Sequence, residues 1–431
     1  MIKERFLSGD YQPDSYALYE LRPYMPYNTS VRIMVELTEE VDGDILDVAA
    51  NTAIKRYPYF SVQIERKDGK FVLAHNSRPI AVLKTQTPTP AFGSEEVNGH
   101  LTSIDYAGNT IYFNMSHSIA GAAGILPWVK SVLYQYLCKK YDVDLNPAGI
   151  NLPDSDFLPG ELDFPMPEDL PDVEPMGNSN PPMGYFPAED YAAAFQNPDR
   201  SGDGYYCIQM KQSELMQYVR SNDGSPATII AALMFKAMAP LFPAEESLIT
   251  CGVACNFRDS VNCPNTYRDL SRPLHIQYKR SYLDFPVEKL GTITRGMIML
   301  QSMPENSICE TKEIIKYHEQ IDTLGSIEEK QKFCLTEGRF TKGCKDTYNV
   351  SYVGTTDFGD MQQYIKAIYT IAFGHLLVEI NSMGDMFFLT FHQIIDDDKY
   401  INAFLNVMDE VGLSYTISEY RQKNIAALQL P

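Results

Sequence analysis

The stretch 113–124, FNMSHSIAGAAG, joins an alternating apolar run to a run with helical spacing. The residues from Thr110 predict a strand, and ILPWVKSVLYQYL after the stretch predicts a helix, because its apolar residues recur three and four positions apart. His117 therefore lies between a strand and a helix, and small residues follow it. An imidazole can take and return a proton near neutral pH. Two interpretations stand: His117 is a general base at a strand-to-helix corner, or it is a structural residue in a turn.

The composition predicts a globular protein of two domains. The chain has 431 residues, of which 44% are hydrophobic and 21% charged, and this length exceeds one ordinary domain. A formal net charge of -20 argues against nucleic acid or an anionic membrane as partner, because either would need a basic face. Cys251, Cys255 and Cys263 come nearest to a cluster, but their spacing matches no zinc pattern. We expect reduced core thiols and no metal site.

Two stretches lead us to expect a soluble, cytoplasmic protein without membrane insertion. The N-terminal residues MIKERFLSGDYQPD contain no apolar segment of signal-peptide length. The most apolar stretch, YIKAIYTIAFGHLLVEI, contains Lys366, His375 and Glu379. These polar residues favour two sheet strands around Gly374 over a membrane-spanning helix.

A change of composition near the middle of the chain predicts the domain organisation. Prolines and acidic residues crowd the segment 144–203, and periodic apolar patterns disappear there. We therefore predict an N-terminal domain at 1–143, a Pro-rich acidic linker at 144–203 and a C-terminal domain at 204–431. Both halves mix strands with helices in an α+β order.

Each half contains the same strand, histidine, corner and helix unit. The first copy is IYFNMSHSIAGAAGILPWVKSVLYQYL, and the second is MFFLTFHQIIDDDKYINAFLNVMDEVGL. His117 and His392 hold equivalent places in the two copies. A repeated unit of this size predicts a pair of related domains in a pseudo-twofold arrangement.

The frame SHSIAGA, residues 116–122, resembles the His-His-x-x-x-Asp-Gly motif of the chloramphenicol acetyltransferase-like superfamily. That superfamily includes condensation domains, alcohol acyltransferases and wax ester synthases, and the second histidine of its motif is catalytic. Further stretches resemble other landmarks of the superfamily in the right order along most of the chain. These are LDVAANTAIKRYPYFSVQIERKDGKFVL, GSPATIIAALMFKAMAPLFP, VACNFRDS and YNVSYVG.

The resemblance implies two chloramphenicol acetyltransferase-like α/β sandwich domains with a tunnel between them. His117 would deprotonate a hydroxyl or amine of a small acceptor, which attacks an acyl thioester of coenzyme A or of a carrier. Ser351 matches the serine of a Ser-x-x-Gly segment and is the candidate donor to the oxyanion, or else an ordinary strand hydroxyl. Ser116, Gly121 and Gly124 would border the substrate. Acyl-coenzyme A would be a cosubstrate, with no bound cofactor, metal or covalent enzyme intermediate required.

The chain departs from the motif at one position that matters. Gly121 stands where the superfamily has an aspartate, which holds the corner through an ion pair with an arginine. Arg258 is a candidate for the partner left over by this change, or else a solvated charge at a strand end. Without the aspartate the position of the base is less constrained, and a small misplacement can cost orders of magnitude in rate.

The second copy keeps the spacing that the first has lost. His392 and Asp396 preserve His-x-x-x-Asp and resemble the C-terminal end of the chloramphenicol acetyltransferases, where the catalytic histidine lies. In two-domain relatives this corner is usually not the active one, so a structural histidine is the default interpretation of His392. The remaining five histidines have no comparable context.

The sequence thus favours an acyl-coenzyme A-dependent O- or N-acyltransferase whose partners are a small-molecule acceptor and an acyl thioester. The alternative is a catalytically inactive protein of the same fold that binds a ligand or partner, as the missing aspartate at Gly121 suggests. A hydrolase on an unrelated fold is disfavoured because the chain has no Gly-x-Ser-x-Gly. The acyl group, the acceptor and the choice between monomer and dimer are not determined by the sequence.

Overall fold

The fold is taken from a computed structural model. It describes residues 15–19, 30–85, 90–177, 184–190, 204–243, 248–337, 346–372, 375–393, 395 and 397–421. Within these ranges the helices are α1 (Gly43–Ala53), α2 (Ala122–Tyr141), α3 (Gln212–Ser221), α4 (Pro226–Met238), α5 (Val287–Gln301), α6 (Pro304–Asp322), α7 (Ile327–Glu337) and α8 (Lys399–Glu410).

Strands and helices mix throughout, as the sequence predicted. The strands are β1 (Ser30–Leu37), β2 (Val62–Lys67), β3 (Lys70–His75), β4 (Val82–Lys84), β5 (Thr102–Ala107), β6 (Thr110–Ser116), β7 (Gly204–Lys211), β8 (Leu248–Asn256), β9 (Ser271–Lys279), β10 (Tyr348–Thr355), β11 (Ile365–Ala372), β12 (Leu376–Met383), β13 (Met386–Gln393) and β14 (Thr416–Arg421).

Two sheets carry the architecture. The first has five strands in the order β11-β1-β6-β5-β4, and the second has seven in the order β14-β7-β13-β12-β10-β8-β9. Strands β2 and β3 form a separate hairpin whose turn contains Asp68 and Gly69, both at positive φ. The sequence predicted this hairpin from the KDGK turn, since Asp-Gly suits a two-residue turn of this hand.

The two sheets are connected by an exchange of strands. Strand β10 lies in the second sheet, β11 pairs antiparallel with β1 in the first, and β12 returns to the second sheet beside β10. The two strands predicted around Gly374 are therefore present, but they belong to different sheets. Residues 373–374 between them lie outside the described part of the chain.

Each sheet has its own hydrophobic core. Helices α1 and α2 cover the first sheet, and Trp128 of α2 is fully buried against Phe60 and Phe113. Helices α3, α4 and α8 cover the second sheet, where α4 is buried along nearly its whole length. The core of the second sheet thus lies on one face, which leaves the opposite face of that sheet for contacts with the first.

The Pro-rich segment is anchored to the first core through a buried ion pair. Nη1 and Nη2 of the Arg56 guanidinium donate to the Glu161 carboxylate at 2.8 and 2.7 Å, and Arg56 is fully buried. Tyr59 also donates to Glu161, and burial raises the pKa of this tyrosine well above its ordinary value. This part of the predicted linker therefore packs on the first core.

Among the described residues, no single helix is long and apolar enough to cross a bilayer. Helices at 212–221 and 226–241 pass the length and hydropathy criteria only as a pair bent by 77°.

Candidate active site

The corner that carries His117 is built by backbone and hydroxyl contacts. Strand β6 ends at Ser116, a short turn follows, and α2 begins at Ala122 with Gly121 in extended conformation before it. The Ser116 hydroxyl lies 2.8 Å from that of Ser118, and the Ile119 amide donates to the Ser116 carbonyl at 3.1 Å. The hydroxyl and the carbonyl of Ser116 are therefore both hydrogen-bonded within the turn. The His117 side chain is 38% exposed.

A carboxylate from the second half of the chain reaches this corner. Oδ2 of Asp269, just before β9, lies 3.7 Å from Nδ1 of His117. This distance exceeds a direct hydrogen bond but is within ion-pair range when the imidazole carries a proton. A Cβ atom built on Gly121 would lie 2.9 Å from Oδ1 of Asp269. The space that a side chain at position 121 would enter is thus occupied by the Asp269 carboxylate.

The surroundings keep Asp269 ionised. Burial raises its pKa, but the charges of His117, Arg272 and Arg258, together with the Ser271 N–H, outweigh burial, so the pKa lies below its ordinary value. The Ser271 amide donates to Oδ1 at 3.0 Å, which leaves Oδ2 turned toward His117 and Arg272. A fixed negative charge therefore faces Nδ1 of the candidate base.

Arg258 holds the segment that delivers Asp269. Its Nε donates to the Thr266 carbonyl at 2.9 Å, and its Nη2 donates to the Arg268 carbonyl. Arg258 is buried, and this burial lowers its pKa while the charge of Asp269 raises it. The solvated-charge interpretation of Arg258 is therefore wrong, and its carboxylate neighbour is Asp269.

Gly124 lets the same segment approach the helix. A Cβ at position 124 would lie 2.1 Å from the carbonyl oxygen of Tyr267 and 3.0 Å from its carbonyl carbon. Tyr267 is also stacked on Tyr59, with ring centroids 4.2 Å apart. Because Gly124 has no side chain, residues 266–269 pass close over the first turn of α2 and bring Asp269 to His117.

Ser351 lies on β10 of the second sheet and is partly buried. Ser351 is the register partner of Glu379 on β12. Burial raises the pKa of Glu379 to about 7, although hydrogen bonding from the Ser351 hydroxyl lowers it. A hydroxyl has a single proton, so Ser351 cannot donate to Glu379 and to an oxyanion at the same moment. The predicted oxyanion role of Ser351 stays a prediction.

The second histidine lies in a different setting from the first. His392 is inside strand β13 and is only 7% exposed, whereas His117 follows the end of β6. Within β13, His392 pairs with Leu377 on one side and Tyr205 on the other. The structure places His392 in the sheet interior; Asp396, predicted with it, lies outside the described residues.

Sequence reasoning missed two carboxylates, Asp269 and Asp346, that each face a histidine. Asp269 belongs to no motif that could have indicated it, since its neighbour His117 is far away along the chain. Oδ1 of Asp346 lies 2.8 Å from Nδ1 of His275, one of the five histidines without a comparable sequence context. Among the described residues, no group of three or more His, Cys, Asp or Glu is arranged to hold a metal ion.

Solved structures with similar folds cover almost the whole chain. No family model and no curated protein sequence matches it. TRI3 trichothecene 15-O-acetyltransferase from Fusarium sporotrichioides is 9% identical at a TM-score of 0.54, covering 92% of this chain and 93% of its own. F. graminearum TRI101, in complex with coenzyme A and T-2 mycotoxin, is 9% identical at a TM-score of 0.56. The match covers 94% of this chain and 99% of TRI101. The first condensation domain of the CDA synthetase is 8% identical at a TM-score of 0.54. The match covers 93% of this chain and 97% of that domain structure.

These similarities define the class of fold. The chain shares the α+β fold of these two-domain acyltransferase and condensation-domain structures, which confirms the fold class predicted from sequence. The similar structures include an acetyltransferase and condensation domains.

Proposed function

We propose that this protein transfers an acyl group from a coenzyme A or carrier thioester to a hydroxyl or amine of a small acceptor, with His117 as general base. The observation that carries the proposal is the pairing of a part-exposed His117 with the Asp269 carboxylate, 3.7 Å from Nδ1. The fold supports it, because similar structures include an acetyltransferase and a protein bound to coenzyme A.

The proposed reaction assigns different tasks to the two ring nitrogens of His117. Because Nδ1 faces Asp269, Nε2 is the nitrogen left to accept the proton of the acceptor hydroxyl or amine. The acceptor attacks the thioester carbonyl, and the negative charge of Asp269 stabilises the imidazolium that forms. Collapse of the tetrahedral intermediate breaks the carbon–sulfur bond, and the proton on Nε2 passes to the departing thiolate.

The geometry of Asp269 weakens the alternative of an inactive binding protein. That alternative rested on Gly121, since a corner without its aspartate has no carboxylate to fix the base. The structure brings a carboxylate to the same space from residue 269. We therefore assign to Asp269 the positioning role that the motif gives to its aspartate, and to Arg258 the role of holding the Asp269 segment. We also propose that the protein acts in the cytoplasm, as the sequence predicted.

The proposal is tested by thiol release from acetyl- and longer acyl-coenzyme A and from carrier-bound acyl groups, with mixed alcohols and amines as acceptors. We expect turnover by the wild type and by His392→Ala, and loss of turnover in His117→Ala. His275→Ala is the matched control, because His275 is also paired with a carboxylate, Asp346 at 2.8 Å, and has no part in the proposed reaction. Turnover that survives His117→Ala, or no turnover with any donor, would refute the proposal.

A further inference from the structure

A row of polar side chains crosses the second sheet on the face turned toward the first. Ser351 of β10, Glu379 of β12 and Thr390 of β13 are direct neighbours in register. Val378 and Ile380 flank Glu379 and lie in the core beneath the helices, so Glu379 points to the other side of the sheet.

Contacts across the sheets confirm which way this face is turned. Asn381, two positions from Glu379 and on the same face, accepts a 3.1 Å hydrogen bond from Thr370 of β11 in the first sheet. Phe388, directly opposite Asn381 on β13, packs into the core of the first sheet. The row of Ser351, Glu379 and Thr390 therefore lies between the two sheets.

Three atoms on this face have no hydrogen-bond partner in the described part of the chain. They are Oε2 of Glu379, Oγ1 of Thr390 and Nδ2 of Asn381, and the three residues are exposed by 6%, 1% and 0%. Residues directly opposite on antiparallel strands have Cβ atoms about 5 Å apart, so Glu379 and Thr390 can contact one ligand group. Buried polar atoms normally have partners, because leaving one unpaired costs about 1–3 kcal/mol.

Glu379 also has no cation to balance it in the described part of the chain. Burial raises its pKa, and the Ser351 hydroxyl is the group that opposes this effect. The titratable groups that face it from the neighbouring strands are His392 on β13 and, on β7, Tyr205 and Cys207. A carboxylate in this setting gains most from a ligand that carries positive charge.

We propose that Glu379 and Thr390 bind a primary ammonium group of the acceptor, with the ammonium donating to Glu379 Oε2 and Thr390 Oγ1. An ammonium group has three donors and no acceptor, which matches two buried acceptor atoms that lack a partner on directly opposite residues. An ammonium held in this way has no lone pair and is not the nucleophile. The acceptor therefore carries a second reactive group, as amino alcohols and diamines do, and this assignment of substrate class rests on the proposed acyl transfer.

The test is direct binding, without turnover, of n-butylammonium and of 1-butanol, which has the same shape and no charge. Saturation-transfer difference titrations at pH 8 would follow the wild type, Glu379→Gln, Thr390→Val and Glu96→Gln. Glu96→Gln is the control, since it removes the same charge at an exposed site. We expect the ammonium to bind the wild type at least about tenfold more tightly than the alcohol. Glu379→Gln should abolish this preference, Thr390→Val should reduce it, and Glu96→Gln should leave it unchanged.

Several outcomes would overturn the proposal. These are no ammonium binding to the folded wild type, an affinity unchanged by Glu379→Gln, or an alcohol that binds as tightly as the ammonium, which would indicate a hydroxyl site. Circular dichroism verifies that each variant folds. His117→Ala should bind the ammonium as the wild type does, so failure of acyl transfer and failure of ammonium binding are separate results.

Discussion

Two glycines determine what surrounds His117. At Gly121 the missing side chain leaves room for the carboxylate of Asp269, and at Gly124 it leaves room for the backbone of Tyr267. The sequence identified both positions, but Gly121 was interpreted as the loss of a motif aspartate. The Asp269 carboxylate fills the space at position 121 from another part of the chain. The loss of the aspartate at position 121 therefore does not leave the base without a neighbouring carboxylate.

Glu379 is a second residue for which the structure gives a different interpretation from the sequence. In the sequence it counted as a charge that interrupts an apolar stretch. In the fold it is a buried carboxylate. Among the described residues, Ser351 is the group whose hydrogen bonding opposes the rise of its pKa on burial. Its neighbours on β10 and β13 could not be read from the sequence, because strand order is set by long-range pairing.

Removing the charge of Glu379 should change how stability depends on pH. Burial raises its pKa from 4.5 to about 7. The unfolded chain therefore loses this proton at lower pH than the folded one, and stability falls as pH rises from about 4.5 to 7. Over this range the loss amounts to about 3 kcal/mol, at 1.36 kcal/mol for each pKa unit.

Thermal melts of the wild type and Glu379→Gln at pH 5 and pH 8 measure this effect. We expect similar Tm values at pH 5 and a Tm several degrees higher for the variant at pH 8. Glu96→Gln serves as the control and should show no such pattern. A Tm difference between the wild type and Glu379→Gln that does not change with pH would contradict the assignment.

The two strand, histidine and helix units illustrate what the sequence pattern could and could not predict. In both, the strand and the helix form as the apolar periodicity indicated. The turn between them differs, because β6 ends before its histidine while β13 runs through His392. Equivalent positions in the pattern thus gave one part-exposed and one buried side chain.

The first turn of α2 should tolerate no side chain at position 124. Gly124→Ala brings a Cβ to within 2.1 Å of the Tyr267 carbonyl oxygen, so residues 266–269 must move by about 1 Å. We expect kcat to fall about 100-fold while the protein stays folded, because Asp269 leaves its place beside His117. The rate of acyl transfer measures the change in kcat, and thermal melts show whether the variant is folded.

Gly296→Ala is the matched control for that experiment. Gly296 lies in α5, and a Cβ there would meet nothing within 4 Å. We expect it to keep full activity and to be slightly more stable, by about 0.5–1 kcal/mol, because alanine loses less conformational freedom in a helix. Equal activity of the two variants would show that the approach of the 266–269 segment does not matter.

At the level of the molecule, the candidate site joins distant parts of one chain. His117 follows a strand of the first sheet, while Asp269 precedes β9 of the second. Local periodicity and turn residues predicted helices and strands, and short motifs such as residues 116–122 carried the resemblance to a superfamily. The transfer of β11 into the first sheet and the approach of Asp269 depend on contacts between the halves, and no local pattern carries that information.

The central claim is that Asp269 provides the carboxylate that the motif lacks at Gly121. The most direct measurement is the rate of His117-dependent thiol release in Asp269→Ala, in Gly121→Asp and in the double variant. We expect Asp269→Ala to lower kcat about 100-fold with little change in KM. Gly121→Asp alone should also lose activity, because the two carboxylates would crowd one space. The double variant should recover most of the wild-type rate, since it returns one carboxylate to the corner; a double variant no more active than Asp269→Ala would contradict the claim.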